Sequence, residues 1–179
     1  MQLKKLQDID VSSKKVLLRL DLDVPLSDAG EISDITRLKA GEETLNYLLE
    51  HGATVIICGH LGRPKGQVNK EESLAPVAKW YKTELRITNY ELGMEETKLD
   101  AFDVWKLSDK LFLLENLRFY PGEEANDEAF AKQLAALADI YVDDAFAVSH
   151  RSAASNVGVT KFLPSVAGLQ MQKEVAGLG

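Results

Sequence analysis

Short continuous apolar runs are the strongest pattern in the sequence. Each is flanked by polar or turn-forming residues, which is typical of strands that are buried on both faces of a sheet. A run that contains β-branched residues and is only four or five residues long favours a strand over a helix. The predicted strands are Val16–Leu20, Thr54–Cys58, Leu111–Leu114 and Ile140–Val142, with a more weakly marked one at Arg86–Thr88.

Helical spacing of apolar residues fills the stretches between these strands. The predicted helices are Ile35–Glu50, the stretch 73–85, the alanine-rich Asn126–Ala138, and a short helix after a Pro-Ser turn in Phe162–Leu178. Strands that alternate with helices indicate parallel βαβ units. We therefore predict an α/β fold, a Rossmann-like three-layer sandwich with a mostly parallel sheet covered by helices on both faces.

Composition narrows the class of protein. The 179 residues suit one domain or one large lobe of a bigger protein. With 21 basic and 28 acidic side chains the net charge is −7, so no nucleic-acid or membrane surface is expected. The N-terminus has no apolar signal segment, and no apolar run approaches the length of a membrane span, so we expect a cytoplasmic protein. We also expect a monomer. The single cysteine, Cys58, lies in a predicted strand and is expected in the core.

Arginine, together with aspartate or histidine in most cases, follows each of the four clearly marked strands, although the protein as a whole is acidic. Arginine presents a planar fork of donors that matches carboxylate and phosphate groups. Ligands of open α/β sheets bind at the carboxyl ends of the strands, so these residues predict a site for a small anion with several charged groups. In chain order they are Asp21 and Asp23 with Arg37, His60 and Arg63, Arg118, and His150 with Arg151.

Other interpretations of the same residues stay open at this level. Any single arginine could be a solvated surface residue, and a histidine alone is more often structural than functional. Asp21-x-Asp23, together with the later Asp143–Asp144 pair, resembles the haloacid dehalogenase-type phosphatases. Against the phosphatase interpretation, Arg19 interrupts the first strand, no Ser or Thr follows the second strand, and the other polar stretches are left without a role.

Several long motifs, in order, resemble the phosphoglycerate kinase family over nearly the whole chain. They are VLLRLDLDVPL, ISDITRLKA, GHLGRPKG, LLENLRFYPGEEAND, VDDAFAVSHRSAAS and LPSVAGLQMQKEV. The sequence departs from the family pattern at Asp23, where Asn is usual, at Gly59, where Ser is usual, and at Ala147, where Gly is usual. Asp23 matters most, because it adds a negative charge beside an anionic ligand.

The resemblance implies a role for each candidate residue. Asp21, Leu22 and Asp23 would bind the hydroxyl and carboxylate end of 3-phosphoglycerate. Arg37 would be the catalytic residue that steadies charge on the transferring phosphoryl group. The substrate pocket would be lined by His60 and Arg63, with the backbone of Leu61 and Gly62. The far phosphate would be held by Arg118 and Arg151, and His150 would support this basic patch.

The resemblance also implies a two-domain enzyme of glycolysis. Residues 1–179 would be its N-terminal, 3-phosphoglycerate-binding domain. By the same resemblance, a C-terminal domain outside this chain would bind Mg-ATP or Mg-ADP. No G-x-x-x-x-G-K-[ST] loop occurs in residues 1–179. Closure about a hinge would transfer phosphoryl between 1,3-bisphosphoglycerate and ADP, and this chain alone would be inactive. The alternative from the residues is a free-standing, non-catalytic module that binds a phosphorylated metabolite.

Overall fold

One mixed sheet organises the chain in the computed structural model, which describes residues 2–86 and 91–179. The strands of this sheet lie in the order β3-β4-β5-β2-β1-β6-β7. Their bounds are β1 (Lys15–Arg19), β2 (Thr54–Cys58), β3 (Glu95–Leu99), β4 (Phe102–Ser108), β5 (Leu111–Leu114), β6 (Ile140–Asp143) and β7 (Ser165–Ala167).

The strand directions define which edge of the sheet can carry a site. Strands β5, β2, β1, β6 and β7 are parallel, whereas β3 and β4 form an antiparallel extension beside β5. The chain runs outward from β1 to β2 and β5, and then returns to β6 on the other side of β1. The strand order therefore reverses at β1, and the loops after β1, β2, β5 and β6 leave the same edge at this switch point.

The helices begin and end for local reasons. Gly52, with φ of +82°, follows the C-terminus of α1, and the Asp127 side chain caps α4 by accepting from the Phe130 N–H at 2.8 Å. The helices are α1 (Thr36–Glu50), α2 (Ala75–Glu84), α3 (Pro121–Glu124), α4 (Glu128–Ala135) and α5 (Leu169–Gly177), with short 3-10 helices at Leu6–Asp8, Lys70–Glu72, Leu117–Phe119, Phe146–Val148 and Gly158–Lys161.

Two apolar cores lie on opposite faces of the sheet. Side chains alternate along β1, so Val16 and Leu18 join one core and Leu17 joins the other. The first core contains the buried faces of α1 and α2, and the second contains that of α4. Cys58 is fully buried in the second core, and burial raises the pKa of its thiol to about 12. The thiol is thus a core residue, as the sequence predicts.

The predicted α/β fold class is confirmed, including the parallel sheet with helices on both faces. Sequence patterning did not find β3, β4 and β7. Strand β3 lies at the sheet edge with mostly exposed charged residues, so it carries no apolar run. The strand predicted at Arg86–Thr88 falls largely outside the described residues. Within residues 2–86 and 91–179, no helix is both long and apolar enough to cross a membrane.

Candidate anion-binding site

Asp21, Asp23 and Arg37 form the part of the site that follows β1. Arg37, at the start of α1, donates through Nη1 to the backbone carbonyl of Asp23 at 2.6 Å, and the same atom lies 3.5 Å from Asp21 Oδ1 and 3.9 Å from Asp23 Oδ2. Asp21 Oδ1 also accepts from the Asp23 N–H. The arginine is therefore held over the two carboxylates, but about half of its side chain is exposed.

The loop after β2 is joined to this pair through Gly62. The Gly62 N–H donates to Asp23 Oδ1 at 2.9 Å, while its carbonyl accepts from Arg118 Nη1 at 3.0 Å. Gly62 has a φ of +66°, in the left-handed region that favours glycine. This backbone conformation lets one residue contact a carboxylate on one side and a guanidinium on the other.

Asn116 fixes the loop after β5 against the loop after β2. Its fully buried amide donates to the carbonyls of Leu61 at 2.7 Å and Glu72 at 2.8 Å, and its Oδ1 accepts from the Arg118 N–H at 3.1 Å. Every polar atom of the amide thus has a partner. The arrangement holds Gly62 and Arg118 at a fixed separation.

Arg118 is a buried cation of the site. Only 6% of the residue is exposed, and its Nε lies 3.6 Å from Glu124 Oε1. Burial lowers the pKa of its guanidinium, Glu124 opposes this shift, and the positive charge of Arg151 lowers the pKa further. The Arg118 guanidinium nevertheless stays charged at neutral pH. Arg151 lies in the loop after β6, where its carbonyl accepts from the Asn156 amide at 3.3 Å, and Asn156 Oδ1 accepts from Arg19 Nε.

His60 lies beneath the β1 and β2 loops. Its Nδ1 is 3.2 Å from Arg19 Nη2, and its Nε2 is 3.7 Å from Asp23 Oδ2. Only 4% of His60 is exposed, and burial is the main cause that lowers the pKa of its ring. The ring in turn holds the pKa of Asp23 at about 2, with help from the Gly62 N–H and the Arg37 charge and against the effect of partial burial.

The structure does not bring all of the predicted residues to this cluster. Arg63 and His150 are exposed; the Arg63 N–H donates to Glu72, and no contact joins either side chain to the cluster. Leu22 and Leu61 are buried in the core, so only their backbone can face a ligand. The cluster consists of Asp21, Asp23, Arg37, His60, Gly62 and Arg118, with Arg151 nearby.

Two residues of the site were not predicted as such. Arg19 is 2% exposed inside β1, and Asn116 is fully buried just after β5. A charged residue within an apolar strand is the sequence signal that could have identified Arg19, because such a charge needs buried partners. Asn116 gives a weaker signal, since an asparagine after a strand is also common in turns.

The shape of the site is open. Two depressions of about 310 and 500 Å³ meet at Arg37. Asp21 lines the first and Asp23 the second. Another depression, of about 520 Å³, lies between the 29–32 turn and α2, but it does not collect the charged residues of the sheet edge. The site is therefore distinguished by its charges and contacts, and not by the size of its cavity.

Fold and site together define an α/β protein that gathers cationic side chains at the switch point of a parallel sheet. The sequence profile described as phosphoglycerate kinase matches residues 6–179. The chain belongs to the phosphoglycerate kinase family. This assignment confirms the resemblance of the motifs and rejects the phosphatase interpretation of Asp21 and Asp23.

Individual relatives agree with the family assignment. The chain is 46% identical over 178 residues to a phosphoglycerate kinase of Moorella thermoacetica and 50% identical over 179 residues to one of Synechococcus, covering 97% of this chain and 44% of each relative. The solved phosphoglycerate kinase of Coxiella burnetii matches with a TM-score of 0.83 and 34% identity, over 99% of this chain and 44% of that one. That of Pyrococcus horikoshii matches with a TM-score of 0.71 and 27% identity, over 98% and 45%. The chain thus spans less than half the length of these relatives.

Proposed function

We propose that residues 1–179 are the 3-phosphoglycerate-binding domain of a phosphoglycerate kinase. The observation that carries this proposal is that Arg37 contacts the Asp21–Asp23 pair directly and Arg118 is joined to Asp23 through Gly62. The two arginines follow different strands of the sheet, and the loop that carries Arg151 is joined to the same region through Asn156 and Arg19. A small ligand with a phosphate at one end, a carboxylate at the other and a hydroxyl between them matches this distribution of donors and acceptors.

Each group would have a separate task in binding. Arg118 and Arg151 would hold the phosphate of 3-phosphoglycerate, with the exposed Arg63 and His150 approaching from the rim. Asp21 and Asp23 would accept from the hydroxyl group. Arg37, which is half exposed, would move from its present contacts towards the carboxylate end, where phosphoryl transfer occurs.

The reaction would be the reversible transfer of phosphoryl from the acyl phosphate of 1,3-bisphosphoglycerate to ADP, giving 3-phosphoglycerate and ATP. Catalysis of this kind depends almost wholly on positioning and charge stabilisation. The magnesium nucleotide would be bound by the part of the relatives that this chain does not span, and we assign none of the described residues to it. Closure of the two halves would exclude water from the site.

Calorimetry and a coupled kinase assay test the proposal. We expect the chain to bind 3-phosphoglycerate, to lose this binding in Arg118→Met, and to keep it in Arg86→Met, because Arg86 lies outside the site. Alone, the chain should show no nucleotide-dependent turnover. Turnover by the chain alone, or equal binding by both variants, would contradict the proposal.

The free-standing, non-catalytic module that the residues left open is set aside, because the chain belongs to the kinase family and matches phosphoglycerate kinases over 97% of its own length. Mixing the chain with the separately produced nucleotide-binding half of a relative tests the kinase proposal further. We expect restored turnover that disappears in Arg37→Met, because Arg37 would steady charge at the reacting end of the site. The cytoplasmic location and the monomeric state stay predictions.

A further inference from the structure

Arg19 is a charged side chain enclosed by the fold. It extends from β1 and is 2% exposed, so its guanidinium requires partners inside the protein. It donates through Nη1 to the Leu20 carbonyl at 2.7 Å and through Nε to Asn156 Oδ1 at 3.1 Å. Its third partner is His60 Nδ1, at 3.2 Å from Nη2.

We propose that Arg19 is a positioning residue that fixes His60 as the neutral Nε2–H tautomer, directed at Asp23. The ring then faces the ligand site as a hydrogen-bond donor and not as a cation. The assignment of the tautomer depends only on the fold, whereas its relevance to a ligand rests on the proposed function.

In the hydrogen bond between Arg19 Nη2 and His60 Nδ1, Arg19 is the donor. Guanidinium nitrogens have donors and no acceptor, and they stay protonated in proteins. His60 Nδ1 must therefore accept from Arg19, which leaves the ring proton on Nε2. That nitrogen lies 3.7 Å from Asp23 Oδ2, so a slight movement of either side chain completes a hydrogen bond to the carboxylate.

A second proton on the ring would be disfavoured. It would sit on Nδ1 and place an N–H against the Arg19 N–H in a buried site. Burial is the main cause that lowers the pKa of the ring, and Asp23 from the loop after β1 opposes it. The positive charges of Arg19 from β1 and Arg118 from the loop after β5 lower the pKa further.

Asn156 holds the Arg19 guanidinium in its orientation. The Asn156 amide nitrogen donates to the carbonyls of Val148 at 2.9 Å and Arg151 at 3.3 Å. Its Oδ1 is thereby directed at Arg19 Nε. The loop after β6 thus fixes Arg19, and Arg19 fixes His60, so the tautomer depends on contacts that are buried away from the ligand.

The test is nitrogen NMR of the ligand-free chain labelled with ¹⁵N in its histidine and arginine side chains. We expect His60 to show a pyridine-type Nδ1 and a pyrrole-type Nε2 that do not change between about pH 6 and 8. A scalar coupling between His60 Nδ1 and an Arg19 nitrogen across the hydrogen bond should be present. A proton on Nδ1, or an imidazolium at neutral pH, would overturn the proposal.

Variants separate Arg19 from the rest of the environment. In Arg19→Met the two ring nitrogens should shift towards an average of both tautomers, and the ring should take up its second proton at higher pH. Arg19→Lys, which keeps a donor, should retain the pyridine-type Nδ1, and Arg86→Met is the matched control for removal of a distant arginine. An unchanged spectrum in a folded Arg19→Met would refute the role of Arg19. If that variant does not fold, the wild-type spectrum is the test: a coupling between His60 Nδ1 and an Arg19 nitrogen supports the role, and its absence refutes it.

Adding 3-phosphoglycerate to the wild-type chain should shift the Nε2 signal of His60 more than its Nδ1 signal. A fixed tautomer without any ligand response would support the assignment of the ring and count against the proposed function.

Discussion

Replacing Asp23 by asparagine should have opposite effects on stability and on ligand affinity. The carboxylate accepts from the Gly62 N–H and lies between His60 and Arg37, which hold its pKa at about 2 instead of the ordinary 3.8. A shift of this size corresponds to roughly 2 kcal/mol. Because 39% of the side chain is exposed, solvent screening reduces the contribution to about 1 kcal/mol.

The sign of the stability effect follows from the lowered pKa of Asp23. Stability from this group is present above its ordinary pKa and is lost as the pH falls from about 4 to about 2. Asp23→Asn should therefore lower the free energy of unfolding by about 1 kcal/mol at neutral pH, and by much less near pH 2, where the carboxylate is becoming protonated in the folded state. Urea unfolding at the two pH values measures the difference.

Affinity should change in the other direction. In the proposed complex the carboxylate would repel the anionic ligand, and it also holds Arg37, whose Nη1 lies 3.9 Å from Asp23 Oδ2. Two like charges about 6 Å apart near a surface repel by about 1–2 kcal/mol, which is a factor of about 5–30 in affinity. Calorimetry with 3-phosphoglycerate should thus show tighter binding in Asp23→Asn, and no change in Asp28→Asn, which removes an exposed charge of the same loop. Equal or weaker binding in Asp23→Asn would refute the placement of this carboxylate beside the ligand.

Three further substitutions test the supporting contacts. Asn116→Asp leaves the carbonyls of Leu61 and Glu72 without donors, so urea unfolding should show a loss of about 3 kcal/mol. Asp144 is buried, and desolvation raises its pKa to about 6. Ionising this carboxylate in the folded protein therefore lowers stability as the pH rises from about 4 to about 6. Asp144→Asn removes this effect, so the difference in unfolding free energy between pH 4 and pH 7 should fall by up to about 3 kcal/mol. Arg118→Lys keeps the charge but loses the planar fork, so calorimetry should show about tenfold weaker binding of 3-phosphoglycerate; an unchanged affinity would mean that Arg118 does not contact the phosphate.

The parts of the fold that bury continuous apolar runs could be predicted from the sequence. The predicted bounds of β2 and β5 agree with the structure, because TVIIC and LFLL read as strands wherever they lie in the sheet. Strand β3 has no such run, since its Glu and Lys residues face solvent at the sheet edge. Its pairing with β4 depends on a tertiary partner that local periodicity does not report.

The sequence predicts that the polar residues after the parallel strands lie at one edge of the sheet, but it does not predict the contacts between them. The rule that ligands bind at the carboxyl ends of parallel strands brought Asp23, Arg37 and Arg118 to one edge. The contact between Arg19 and His60 joins residues 41 positions apart, and it depends on β1 and β2 being neighbours. No local pattern specifies that order, and so the buried partners appear only in the structure.

An NMR titration of the amide-labelled chain with 3-phosphoglycerate shows whether the loops after β1, β2, β5 and β6 form one site. We expect the amides of Asp23, Gly62, Arg118 and Arg151 to shift together and to give a single dissociation constant, with weaker binding as salt is added. Shifts confined to one loop, or loops that saturate with different constants, would contradict the single site.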